Sequence, residues 1–402
     1  MKPKFFRKVL SNGMTVILEK RDLPIVSVAF AVRSGAINEA PSEKGIHHYI
    51  EHMLYKGTKK RSAKKIAEEI EKNGGEINGF TSEEITAYWC RIPSKKLNIA
   101  LDVLGDLVKN PLFNEKELEK ERKVIFEEIK MHHDNPRLYV FDEIQKILYT
   151  GTMGLSIGGT IETMNSINRE KIVKEFKEIY KPNNLILCAV GNVKFEELVS
   201  FAEKNFGKEK GKIPEQKFEL KNEIKTEKRK GIGQANLVFA YHVPLAQDKK
   251  SYAAILLNTL MAGGMSSRLF EEIREKRNLA YSVKGISDIN KRFAYNLIYV
   301  GTKKESIEKV KDLILKEFKK ISTNLKEQEL NQVKEQVIGN YQISMEDSSE
   351  QLVSLLKTEI QGNAFEFYNF EKNISKVKLN YVKELAFNAL KDYSFFALIP
   401  DD

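Results

Sequence analysis

The chain has 402 residues, 42% of them hydrophobic and 30% charged, the composition of an ordinary soluble globular protein with room for two domains. Its net charge is +10, but the lysines interleave with glutamates, as in "EKELEKERK", which reads as solvated helix faces rather than a nucleic-acid patch, so no nucleic-acid partner is expected. No apolar run approaches the ~20 residues of a membrane helix, so no membrane association is expected either.

The opening "MKPKFFRKVL" is basic but has no apolar stretch, and it runs into the strand-like "MTVILEK", so no targeting peptide is expected. A second strand, "VSVAFAV", follows. A helix around His48, the strand "ITAYWCRI" and long helices come next. The half closes with a helix and a strand in "REKIVKEFKEIYKPNNLILCAVG". Cys90 and Cys188 sit in apolar surroundings and are expected as buried free thiols of a reducing compartment, which makes the cytoplasm the expected location.

Residues 206–230, rich in Lys, Glu, Gly and Pro, read as a charged linker. Beyond it the plan returns: the strand "ANLVFAYHV", the helix "SYAAILLNTLMAG", the strand "RFAYNLIYVG", long helices, then the helix and strand of "YVKELAFNALKDYSFFALIP". Residues 115–134 align without gaps with 327–346, at a constant offset of 212. The expected fold is therefore α+β, with two tandem homologous domains (1–205 and 231–402), each a mostly antiparallel sheet packed with helices. The repeat is chemically lopsided, because Glu121 falls opposite Val333 and Glu128 opposite Asn340.

The stretch "GIHHYIEHMLYKGT" concentrates three of the six histidines. On a helix His52 lies about 40° around from His48 and one turn along, so both imidazoles reach one point, and Glu51 flanks that point from about 60° on the other side. Two imidazoles beside a carboxylate suit a zinc ion that activates water, with the carboxylate taking its proton. His47 stands five residues before His52, faces elsewhere, and reads as non-ligating. A catalytic zinc site takes a third protein ligand, which the helix itself does not supply.

With its His-x-x-Glu-His core, "SGAINEAPSEKGIHHYIEHMLYKGTKKRS" resembles the signature of the pitrilysin family of zinc peptidases, which includes insulysin and the mitochondrial processing peptidases. The resemblance implies zinc, one ion per subunit, held by His48, His52 and a glutamate of "EKERKVIFEEIKM". Glu128, 76 residues past His52, matches that glutamate. Glu127 is its rival, about 100° away on the helix, so only one of the two faces the metal. Glu121 matches a supporting glutamate. His132 matches no ligand, and "MHHDNP" reads as a helix end running into a turn.

In "GGEINGFTSEEITAYW" the resemblance implies an edge strand on which an extended substrate pairs, with Asn78, Gly79 and Phe80 in contact. Gly79 stands where alanine is usual. In "MSSRLFEEIREKRNLAYSV" it implies that Arg274 and Tyr281 reach over the zinc site, Tyr281 donating to the developing oxyanion and Arg274 holding a substrate carbonyl. The implied enzyme is a zinc endopeptidase that cuts unfolded peptides or precursors in a closed chamber, with Glu51 as general base. By the same resemblance the chain is expected to form half of a clamshell and to pair as a homodimer. The rival expectation is a non-catalytic subunit of the same fold, or one that needs a different partner chain. The intact His48, Glu51, His52 and Glu128 set argues against the first, and the intact Arg274 and Tyr281 pair against the second.

Overall fold

The computed structural model describes residues 4–401. In chain order the elements are β1 (Lys4–Val9), β2 (Thr15–Lys20), β3 (Ile25–Val32), α1 (Ile46–Leu54), α2 (Ala63–Glu71), β4 (Glu76–Thr81), β5 (Thr86–Pro93), α3 (Leu97–Leu107), α4 (Glu115–Asp134) and α5 (Pro136–Leu148). They continue with α6 (Ile161–Ser166), α7 (Arg169–Ile179), β6 (Leu185–Gly191), α8 (Phe195–Asn205), β7 (Ile224–Arg229), β8 (Ala235–His242) and α9 (Ser251–Ala262). After a π-helical segment, Phe270–Glu275, come β9 (Ala280–Ile289), β10 (Ala294–Thr302), α10 (Ile307–Asn324), α11 (Glu327–Ser344), α12 (Ser348–Gln361), α13 (Phe370–Ser375), α14 (Leu379–Lys391) and β11 (Ser394–Pro400).

Two compact units result, one sheet in each. The first sheet has the order β1-β2-β6-β3-β5-β4 and the second β7-β11-β8-β10-β9. Set side by side, β2-β6-β3-β5-β4 and β7-β11-β8-β10-β9 are the same arrangement, down to one parallel pair in each, β2 with β6 and β7 with β11. The remaining pairs are antiparallel. This is the expected α+β duplication, with β1 added at one edge of the first sheet.

The units are not the contiguous stretches 1–205 and 231–402. Among the described residues, unit one comprises 4–130, 151–217 and 344–367, and unit two the rest. The difference lies in two helices that the internal repeat makes equivalent. Helix α5, from the first half of the chain, packs on β8 and β11, while α12, from the second half, packs on β3 and β6. Each buries an apolar stripe there: Val140, Ile144, Ile147 and Leu148 on α5, and Leu352, Leu355 and Leu356 on α12. Polar locks accompany the second docking. Gln351 Nε2 donates to Glu19 Oε2 at 2.6 Å, and Ser27 and Ser348 share a hydroxyl hydrogen bond of 2.8 Å.

The stretch expected as a linker also differs in part. Residues 224–229 form β7, an edge strand paired in parallel with β11. Its alternation, "IKTEKR", is charged on both faces, which suits a solvated edge and reads from sequence as loop. Cys90 and Cys188 are free and buried, as expected. Among the described residues no helix is long and apolar enough to cross a membrane.

Candidate metal centre

Everything in the site belongs to unit one and is built around α1, which lies against β4 and β5. Ile46, Tyr49, Ile50, Met53 and Leu54 form its buried stripe and fix which way the helix faces. The helix starts at Gly45, whose φ of 96° is a left-handed conformation, and a Cβ there would stand 2.8 Å from Gly158 O. Glu39, fully buried, takes the place of a side-chain cap. Its Oε2 accepts from the Gly45 N–H at 3.0 Å and its Oε1 from the His47 N–H at 2.8 Å. Lys44 Nζ lies 3.5 Å from Glu39 and donates to Ala36 O at 2.8 Å.

His47 is anchored in this base. It is buried, with Nε2 3.3 Å from Glu175 Oε1 and Nδ1 3.7 Å from Glu39 Oε1. Burial disfavours its charged form, but the Glu175 hydrogen bond and the Glu39 charge outweigh that and raise its pKa. It faces away from the other two histidines of the stretch and braces the helix.

His48, Glu51 and His52 of α1 are each half-buried. The Nε2 atoms of His48 and His52 lie 3.2 Å apart, with the rings at 79° to one another. Helix α4 brings the third group. The Tyr49 hydroxyl donates to Leu118 O at 2.5 Å, and Leu118, Glu121, Arg122 and Ile125 are the buried face of α4. On that alignment Glu128 Oε2 lies 3.7 Å from His48 Nε2 and 3.5 Å from His52 Nε2, whereas Glu127 is exposed. Ligand atoms of His48, His52 and Glu128 all fall within 4.8 Å of one another.

Glu121, one heptad before Glu128, is buried behind His52. Its Oε2 is 3.2 Å from His52 Nδ1, and its Oε1 is 2.7 Å from Lys56 Nζ. Glu51 accepts a hydrogen bond of 2.6 Å from the Thr81 hydroxyl. Burial raises the Glu51 pKa, helped by the nearby Glu128 charge and opposed by Thr81 and His52.

Strand β4 is the edge of its sheet, and Asn78, Gly79 and Phe80 pair on one side only, with Trp89, Tyr88 and Ala87 of β5. His132 is drawn to Asp142 at 3.4 Å, and the expected turn is a tight junction in which Asn135 caps α5. Arg274 and Tyr281 belong to unit two and meet each other there. The Arg274 guanidinium lies 5.2 Å from the Tyr281 ring centre and 4.8 Å from that of Phe270, and it donates to Tyr281 O. Tyr281 is 83% exposed. Asn278 between them is left-handed, with φ of 50°.

Sequence reasoning did not single out Thr81 or Lys56. Thr81 was within reach of period-two reasoning, since it lies two residues past Gly79 on the face of β4 that looks at α1. Lys56 follows His52 by four residues, one turn further along the chain.

Residues 15–161 match the sequence model of a family described as "Insulinase (Peptidase family M16)", and residues 166–337 match the one described as "Peptidase M16 inactive domain". The chain belongs to peptidase family M16. An uncharacterized zinc protease, YmxG, of Bacillus subtilis is 34% identical over 313 residues, covering 77% of this chain and 76% of that protein. An uncharacterized zinc protease of Rickettsia felis is 33% identical over 334 residues, covering 81% and 79%. The fold matches a Helicobacter pylori protease with a TM-score of 0.91 at 22% identity, over 99% of this chain and 100% of that one. It also matches a "peptidase M16 inactive domain" from Pseudomonas fluorescens with a TM-score of 0.88 at 20% identity, over 99% of both. Within this M16 chain the stretch matched as an inactive domain begins after the His48, His52 and Glu128 cluster, and it includes Val333, where the first half has Glu121.

Proposed function

We propose that the chain is a zinc-dependent endopeptidase acting on unfolded peptides or precursors, with one zinc per subunit held by His48, His52 and Glu128. The donor set fits. Two imidazole nitrogens and a carboxylate oxygen at 2.0–2.1 Å from one ion would stand about 3.3 Å apart in a tetrahedral site. The three separations here are 3.2, 3.5 and 3.7 Å. Bound zinc supplies Lewis acidity and brings the pKa of water down towards ~7.

The residues around the ligands have definite tasks. Glu121 accepts at His52 Nδ1, which fixes the ring tautomer and leaves the Nε2 lone pair facing Glu128 and His48. Glu51, with Thr81 holding one oxygen, takes the proton of the attacking water and returns it to the leaving amine. The free side of β4 accepts an extended peptide as a further strand, which explains a preference for unfolded chains. The half-buried Arg274 and the exposed Tyr281 serve carbonyl binding and oxyanion stabilisation, completing the site of a second copy in a homodimer that closes a chamber.

The observation that carries this reading is Glu51 held beside the three-ligand cluster. A non-catalytic binding role has no use for that carboxylate. The test is hydrolysis of an internally quenched, unfolded peptide by zinc-loaded wild type and Glu51→Gln. Expected are equal zinc contents and a turnover at least about 10²-fold lower in the variant. Zinc bound to both and equal rates, or no cleavage by either, overturns the reading.

A further inference from the structure

The hydroxyl of Tyr55 is buried and has no hydrogen-bond partner among the described residues. Such a donor is expensive to leave unmade, which draws attention to what it faces. Tyr55 follows Glu51 by four residues, so both project to the same side at the end of α1. Across from them is Gly79 on the edge strand. A Cβ on Gly79 would lie 2.7 Å from the Tyr55 hydroxyl, 3.4 Å from Glu51 Cγ and 3.0 Å from Ala87 O. The hydroxyl, the Glu51 side chain and the bare Cα of Gly79 therefore surround one small space.

Gly79 is not among the residues with positive φ, so backbone conformation does not demand glycine there. The demand is for room. A methyl group at this position would collide with the tyrosine oxygen, and the missing methyl is what lets that oxygen approach Glu51. The neighbouring Tyr88 hydroxyl is engaged differently, in a 2.7 Å hydrogen bond with Tyr180. Glu51 already accepts from Thr81 through Oε2. A carboxylate offers about four acceptor positions, so a second donor still leaves one for a water proton.

We propose that Tyr55 is a positioning residue for Glu51: in the substrate-ready enzyme its hydroxyl donates to the Glu51 carboxylate, which Thr81 grips from the edge strand. The base is then fixed by two donors, one from its own helix and one from the strand that receives the peptide. This role rests on the reading of Glu51 as the base.

The test compares full-length, zinc-loaded wild type, Tyr55→Phe and Glu51→Gln on the quenched unfolded peptide, with zinc content and Tm measured for each. Tyr55→Phe is expected to lower kcat about tenfold, the scale of one lost hydrogen bond to a charged group, with KM, zinc content and Tm unchanged. A crystal structure of the zinc-loaded wild type is expected to show the Tyr55 oxygen within about 3.2 Å of a Glu51 oxygen. An unchanged kcat in a wild-type background that cleaves removes the Tyr55 role alone. A fall in Tm or zinc content that tracks the fall in kcat makes the residue structural and also overturns the proposal. So does a hydroxyl that stays out of reach of Glu51 in the crystal. A wild type that does not cleave removes the reading of Glu51, and the Tyr55 role with it.

Discussion

Glu121 grips His52 from behind, with Oε2 3.2 Å from Nδ1, while its other oxygen holds Lys56 Nζ at 2.7 Å. The lysine gives this buried carboxylate a charged partner while its other oxygen meets the imidazole. Glu121→Ala is predicted to weaken zinc binding by about 10–100-fold, the usual loss when the partner of a metal-bound histidine is removed. A competition titration against a zinc chelator measures it. An unchanged affinity would mean that Glu121 does no more than neutralise Lys56.

Thr81 donates a hydrogen bond of 2.6 Å to Glu51. Valine keeps the β-branched shape at this strand end, where Thr81 pairs with Thr86 through the backbone, and removes only the hydroxyl. Thr81→Val is predicted to reduce kcat on the quenched peptide about tenfold without reducing zinc content. Equal kcat values would show that Glu51 finds its place unaided.

If the free edge of β4 receives the substrate as a strand, the peptide's own N–H groups carry affinity. N-methylation at alternate residues removes those donors and leaves the side chains in place. Peptides methylated in the register that faces β4 are predicted to show a raised KM, and those methylated one residue out of phase a smaller change. Equal KM values for both series would rule out strand pairing.

The sequence shows some of this more readily than the rest, for physical reasons. His48 and His52 are legible because a helix brings positions four apart together whatever surrounds it. Glu128 is not legible by itself, since a glutamate on a Lys- and Glu-rich helix reads as solvent-facing. Only the packing of α4 on Tyr49 turns Glu128 inward and leaves Glu127 outside. A period of two places Thr81 on the Gly79 face of β4 but does not report that it meets Glu51 across 30 residues, and helical spacing does not report that the Tyr55 hydroxyl meets Gly79 across 24. The exchange of α5 and α12 is hidden for a related reason. An amphipathic pattern shows that a helix has an apolar face but not which of two similar sheets covers it.

The exchanged helix α12 is held by a buried carboxylate. Glu359 accepts from Arg7 through Nε and Nη2, each at 2.8 Å, from Arg33 Nη2 at 2.8 Å, and from the Ala364 N–H at 3.0 Å. Burial by itself would raise its pKa, but the two guanidinium groups and the backbone donor hold it below the usual carboxylate value. A depressed folded-state pKa means that this stabilisation is complete above the unfolded-state value of about 4.3 and fades as pH falls through the lower, folded-state pKa. Glu359→Gln leaves two arginines facing a neutral amide. At pH 7 it is predicted to cost about 3–5 kcal/mol, the usual penalty for removing one partner of a buried ion pair. Urea unfolding of wild type and variant at pH 7, and again at a pH below both carboxyl pKa values, measures the effect. The difference is predicted to be large at pH 7 and to shrink in acid, where the wild-type carboxylate is itself protonated. A gap of the same size at both pH values would place the stabilisation in packing of α12 rather than in the charge of Glu359.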